Sequence, residues 1–209
     1  SLTKDLKIIR DLPSTSELAF GLMIMLLRKI LPAHSSVKKF KWDYLPYVGT
    51  QIKGLTVGVV GYGRLGKIFC RQLEGFGAKI IISDPYIKRT RYPNQALNDM
   101  LPKIDVLALH VHVSEETRKF INKKSLSLIK TGAIIINTSR GELVEENDII
   151  NALKKKKIAG YATDVIADEF NDVKKSDLIK NIDKYPIIVT PHIGGMTIEG
   201  QTKAFMHAV

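Results

Sequence analysis

Apolar positions follow two rhythms along the chain. Short continuous runs rich in β-branched residues, Leu55 to Val60, Ala78 to Ile82, Val106 to Val111, Ala133 to Ile136, Gly160 to Val165 and Ile187 to Val189, have the length and composition of strands buried on both faces. Between them, helical spacing predicts helices over Arg64 to Phe76, Asn94 to Leu101, Lys123 to Ile129 and Glu145 to Lys155, with a final amphipathic helix over Thr197 to Ala208. Strand and helix alternate throughout. This predicts an α/β fold, a doubly wound parallel sheet with helices on both faces, whose ligands gather at the carboxyl ends of the strands.

The N-terminal part reads differently. Lys7 to Ile9 suggests a short strand, and Pro13 to Glu17 offers hydroxyl caps and an acid suited to a helix start. A long helix to about Ile30 follows, so apolar over Leu18 to Leu27 that it should pack on both sides. That run is too short for a membrane span of about 20 residues, and Arg28 and Lys29 follow it directly, so neither a signal peptide nor a membrane helix is expected. Pro32 to Tyr47 is irregular and basic, with Trp42, Tyr44 and Tyr47 expected as packing anchors before Gly54 leads into the first strand.

At 209 residues with no visible repeat or low-complexity linker, one domain is the economical reading. The formal net charge of +11 comes largely from lysine runs at 38–41, 123–124, 154–157 and 174–175. Without interleaved stacking aromatics or a binding motif, such runs describe solvated faces and no nucleic-acid partner. The single cysteine, Cys70, excludes an intramolecular disulfide and fits a reducing, cytoplasmic location. It is assigned to the core of its helix, and no metal site is expected.

Chemistry enters at Val57 to Gly66, where the first strand runs into Gly61, Gly63 and Gly66 in G-x-G-x-x-G spacing before a helix. In that pattern the glycines serve a tight turn, close backbone approach to a pyrophosphate and helix–strand packing, while free N–H groups at the helix start attract the anion. Asp84, at the end of the second strand, stands where an acid accepts hydrogen bonds from ribose hydroxyls and repels a 2′-phosphate. NAD is therefore expected over NADP, although Lys88, Arg89 and Arg91 lie nearby.

The polar residues just after the strands are few: Asp84, His110, Asn137 to Arg140, Asp164 with Asp168 and Glu169, and Thr190 to Gly195. They include a permanent cation, carboxylates and an imidazole. Such a set suits hydride transfer to a 2-oxo acid, a guanidinium holding carboxylate and carbonyl while a histidine exchanges the hydroxyl proton. His34, His207 and Trp42 are assigned to structure; His110 and His112 stay open between site and core.

The sequence resembles the nucleotide-binding domain of the D-isomer-specific 2-hydroxyacid dehydrogenases over nearly its whole length. The resemblance rests on Gly58 to Gly66 with Asp84, Leu109 to His112 with Glu116 to Arg118, Asn137 to Val144, Gly160 to Val165 and Thr190 to Gly195. It implies that Arg140 binds the substrate carboxylate and carbonyl, that His192 is the acid/base and that Glu169 is its carboxylate partner. It also implies Asp164 at the nicotinamide carboxamide, Arg64 and Leu65 at the pyrophosphate, and Thr138 and Ser139 on the nicotinamide side. Val111 and Thr117 would meet the cofactor where it crosses neighbouring strand ends, with Arg140, His192 and Gly195 completing the set.

Three positions depart from the family pattern: Phe170 where proline is usual, Ile166-Ala167 where an aromatic often sits, and His112 in place of a common proline. The resemblance divides the chain into a hinge and long interface helix at 7–31, a Rossmann core at 54–195 and a C-terminal helix at 197–209. It implies a substrate domain of about a hundred residues beyond this chain, and a homodimer formed through the nucleotide-binding domain with the Leu18–Leu27 helix at the interface. A protein of the same fold that binds NAD without useful catalysis is the alternative.

Overall fold

The strand Thr56–Val60 (β1) is an inner strand, one in from the edge, of a sheet that helices cover on both sides. The computed structural model describes residues 12–208, so the expected strand at Lys7 to Ile9 lies outside the described residues. Six parallel strands run in the order β2-β1-β3-β4-β5-β6, with β2 at Lys79–Ser83, β3 at Val106–Leu109, β4 at Ala133–Asn137, β5 at Ile158–Thr163 and β6 at Ile187–Val189. The order reverses between β1 and β3, which is the switch point where a crevice opens in such a sheet.

Alternation inside the strands builds two cores. Val57, Val59, Val106, Ala108, Ile134 and Ile136 point to one face, and Val60, Leu107, Leu109, Ala133 and Ile135 to the other. Because both faces are covered, the strands read as unbroken apolar runs. On the first face lie α1 (Ser14–Leu27), through Ala19, Leu22 and Met23, and α3 (Arg64–Gly75), through Phe69, Cys70 and Leu73. On the second lie α4 (Leu97–Met100), α5 (Lys123–Leu128), α6 (Glu146–Lys154) and α7 (Asp177–Lys180). Cys70 is fully buried, and burial pushes its thiol up to about 12, as its assignment to the core requires.

The long first helix is shorter than expected. It ends at Leu27, Lys29 turns left-handed at φ 52°, and a second helix, α2 (Ile30–Val37), leaves at 62° to the first. Pro32 sits in the first turn of α2, where its missing N–H removes no helical bond. The expected hydroxyl cap is also absent: Pro13 holds the cap position, Thr15 donates instead to the Gly194 carbonyl at 3.1 Å, and the buried Ser16 hydroxyl reaches Gln72 on α3 at 3.0 Å. Trp42 and Tyr44 are not packing anchors. They are 89% and 78% exposed, on an arm whose base is tied down where the Thr50 N–H meets the Leu27 carbonyl. The last helix, α8 (Ile198–Ala208), leaves Ile198, Phe205 and Met206 largely exposed. Among the described residues no single helix is long and apolar enough to cross a membrane.

Candidate functional site

The candidate residues stand one step beyond the strands, and the sheet's own ladder places them. Gly61 N–H bonds the Ser83 carbonyl, His110 N–H that of Val60, Asp164 N–H that of Asn137 and Thr190 N–H that of Thr163, all within 2.8–3.0 Å. Each strand thus delivers its polar residue to the same edge.

At the switch point the glycines have separate physical reasons. Gly61 adopts φ +89°, and a Cβ there would lie 2.5 Å from the His110 carbonyl. A Cβ at Gly66 would overlap the Gly61 carbonyl, so this glycine lets α3 close on the turn. Gly63 differs. Its φ is −73° and a Cβ would meet none of the described residues within 4 Å, so the protein's own packing does not require a glycine there. Room beside the first N–H groups of a helix is what a pyrophosphate needs, and the turn fits a dinucleotide on that ground. Asp84 closes the far side: its carboxylate accepts from Tyr62 N–H at 2.8 Å and Tyr86 N–H at 3.0 Å, fixing it beside the turn. Of the three nearby cations, Arg91 is committed to Glu74 at 2.5 Å and stacks on Tyr92. Arg64, half-buried after Gly63, directs its guanidinium to the Leu12 carbonyl at 2.5 Å, and burial lowers its pKa. Leu65 is half-buried behind it.

His110, half-buried as a residue, turns its ring inward against the core. Its ring packs against Phe69 at 4.9 Å, its Nε2 finds no partner among the described residues, and burial pushes its pKa down to about 4. His112 is exposed; its carbonyl accepts from the Thr117 hydroxyl at 2.8 Å, in a turn that also joins Thr117 to Ser114. Val111, half-buried, reaches the space beside Gly61.

After β4 the buried Asn137 amide folds the next turn, accepting from Ser139 N–H at 3.1 Å and donating to the Arg140 carbonyl at 2.9 Å. The Ser139 hydroxyl is held by the Leu109 carbonyl at 2.7 Å. The Thr138 hydroxyl, buried at the end of β4, has no partner among the described residues. A buried hydroxyl with spare capacity beside the crevice suits an amide-bearing ligand. Arg140 is exposed and folds one N–H onto the Ser139 carbonyl at 2.6 Å, leaving the rest of its fork to solvent.

Beyond β5 and β6 the structure joins Glu169 to His192, with His192 Nδ1 2.7 Å from Glu169 Oε1. A carboxylate only accepts, so Nδ1 carries the proton and Nε2 is free to work on a ligand. The histidine backbone is left-handed, φ 54°, a conformation costing on the order of 1 kcal/mol for a residue with a side chain. Asp164 holds it there. Its carbonyl accepts from His192 N–H at 2.9 Å, and its buried carboxylate accepts from the Thr190 hydroxyl at 2.5 Å, Ile193 N–H at 2.8 Å and Gly194 N–H at 2.7 Å. Asp164, expected from the resemblance at a carboxamide, gives three acceptor positions of its carboxylate to the His192 loop. Gly195 follows that loop, exposed. Phe170, next to Glu169, is 88% exposed with its ring 6.4 Å from that of His192.

Among the described residues no cluster of three or more metal-binding side chains occurs. An open pocket of about 500 Å³ at the start of α5, lined by Asn122, Lys123, Lys124, Ser127 and Asp148, includes none of the strand-end candidates.

Known proteins resemble this chain in sequence and in fold. The chain is 35% identical over 204 residues to a glyoxylate reductase of Thermococcus litoralis, covering 90% of this chain and 59% of that protein. It is 34% identical over 197 residues to a D-3-phosphoglycerate dehydrogenase of Methanocaldococcus jannaschii, covering 91% and 37%. A crystal structure of D-lactate dehydrogenase from Aquifex aeolicus complexed with NAD and lactic acid superposes with a TM-score of 0.87 at 27% identity, over 93% of this chain and 63% of that one. The chain thus spans less than two thirds of the length of each. The sequence profile described as D-isomer specific 2-hydroxyacid dehydrogenase, NAD binding domain, matches residues 20–194, and with the strand-end geometry it establishes that this chain belongs to that family, as its NAD-binding domain.

Proposed function

We propose that the protein containing this chain is an NAD-dependent D-2-hydroxyacid dehydrogenase, interconverting a 2-hydroxy acid and a 2-oxo acid. The carrying observation is the 2.7 Å contact between His192 and Glu169, and the exposed Arg140 in the turn after β4 supplies the cation. Bound NAD supplies the hydride acceptor, and NADH the donor in reverse. In the reduction Arg140 holds the substrate carboxylate and carbonyl oxygen with paired donors. His192, carrying a second proton on Nε2 in this direction, gives it to that oxygen and is left neutral with its Nδ1–H on Glu169. In the oxidation the neutral ring takes the hydroxyl proton back at Nε2. Glu169 keeps the ring oriented through Nδ1, while Asp84, the glycine turn and Thr138 hold the cofactor, with Arg64, Leu65, Val111, Thr117, Ser139 and Gly195 at its margins.

The greater length of the relatives supports a separate substrate domain, whose closure excludes water and sets side-chain preference. Residues 7–31 then act as hinge and interface helix, 54–195 as the Rossmann core and 197–209 as the C-terminal helix. A homodimer is proposed through α1 and the arm after α2. Phe40, Trp42 and Tyr44 are 99%, 89% and 78% exposed, and at ~150–250 Å² apiece they supply more than half of the ~800 Å² per partner of a standard interface. A cytoplasmic location accords with the single, buried cysteine.

Turnover of a panel of 2-oxo acids with NADH by the full-length enzyme tests the reading. Reduction of at least one, abolished by Arg140→Ala, is expected. Tight NADH binding with no turnover on any would favour a cofactor-sensing protein instead.

A further inference from the structure

The segment between Ala167 and Asp177 carries Glu169 and Phe170, and its only regular piece is the 3₁₀ turn Val173–Lys175. Left to itself, a loop of this kind would hold a side chain poorly. Both of its ends converge on a single residue. Glu146, in the first turn of α6, accepts from Ala167 N–H through Oε1 at 3.4 Å. Through Oε2 it accepts from the Ser176 hydroxyl at 2.7 Å, Asp177 N–H at 3.0 Å and Leu178 N–H at 3.5 Å. The same segment is pressed from another side, where Gly141, directly after Arg140, packs so closely on the Ile166–Ala167 backbone that a Cβ would overlap it.

We propose that Glu146 is a positioning residue, a clamp that closes the loop at both ends and so fixes Glu169 against His192 Nδ1. Its functional weight rests on the dehydrogenase reading above. The chemistry explains why a carboxylate stands there. Four donors arrive from two directions, and only a group with two acceptor oxygens meets them all. A glutamine can serve one end but turns an N–H toward an N–H at the other. Alanine serves neither. Glu146 acts through Glu169 and not on the substrate, so its loss should disturb the imidazole partnership while leaving the cofactor turn alone.

The test uses this chain with ¹⁵N-labelled histidine, following the ring Nδ1–H proton that a carboxylate hydrogen bond shifts downfield. The parent chain should show that resonance, and Glu169→Ala should lack it. Glu146→Ala should lose it while the dispersed amide signals of the sheet persist, and Glu146→Gln should show it weakened. If Glu146→Ala fails to fold, Glu146→Gln decides the matter. A resonance at full strength in either Glu146 variant, or none in the parent, overturns the proposal. In the full-length enzyme Glu146→Gln should lower kcat about tenfold with KM for NADH within about twofold. Ring-signal loss in Glu146→Ala together with a full-length parent that reduces no 2-oxo acid would sink the dehydrogenase reading and leave the clamp standing.

Discussion

At His192 three constraints meet: a left-handed backbone, the Asp164 bonds that enforce it, and Glu169 on Nδ1. Replacing His192 by alanine in the full-length enzyme should lower kcat by about 10²–10⁴, the usual worth of a general acid. NADH affinity should stay within about threefold, since the histidine moves a proton and the glycine turn holds the cofactor. Steady-state kinetics beside a fluorescence titration checks this; parallel loss of both would make His192 structural. His110 gives a pH prediction. Burial holds its pKa at about 4 in the fold, against about 6.5 unfolded. Between those values the unfolded chain binds a proton that the folded chain refuses. The stability it contributes is therefore full above about pH 6.5 and lost as pH falls toward 4, with a slope of at most about 1.4 kcal/mol per unit. Urea midpoints from about pH 4.5 to 7.5 should fall less steeply on acidification for His110→Phe than for the parent; identical slopes would contradict the assignment. At this scale the sequence names the chemistry but not its supports. Arg140, Glu169 and His192 are singled out by their types and strand-end positions, and the structure brings Glu169 and His192 into contact. Glu146 and the loop-holding bonds of Asp164 are not legible in it, because their importance lies in which distant N–H groups reach them.

Among elements, the turn from β1 into α3 was legible because its requirements are local: positive φ at Gly61 and close approach at Gly66 each demand glycine. The break between α1 and α2 was not. It depends on Lys29 adopting a left-handed conformation that its residue type does not advertise. The arm after α2 was misread for a related reason, since aromatic residues signal burial without saying whether the burying surface belongs to the same chain. The turn separates two glycine functions experimentally. Gly66→Ala should cost about 1–3 kcal/mol in a denaturant titration, because its Cβ overlaps the Gly61 carbonyl. Gly63→Ala should leave that titration within about 0.5 kcal/mol of the parent. Equal destabilisation would mean that Gly63 also serves packing.

For the whole molecule, the sheet order with its reversal between β1 and β3 gathers the site along one edge, and the exposed Phe40, Trp42 and Tyr44 are carried on the arm of 38–48. Light scattering of the chain should give about twice the protomer mass. Trp42→Asp should return it to the monomer without lowering its thermal midpoint, because the indole contributes little to the protomer's own core; a monomeric parent would remove the proposed interface. The central claim is that the edge marked by Gly63 and Asp84 receives NAD. Calorimetric titration of NADH into the parent chain and into Gly63→Ala tests it most directly. Saturable binding to the parent, weakened at least about tenfold in a Gly63→Ala protein of unchanged stability, is the predicted result. Equal affinity in the two proteins, or none in the parent, would contradict it.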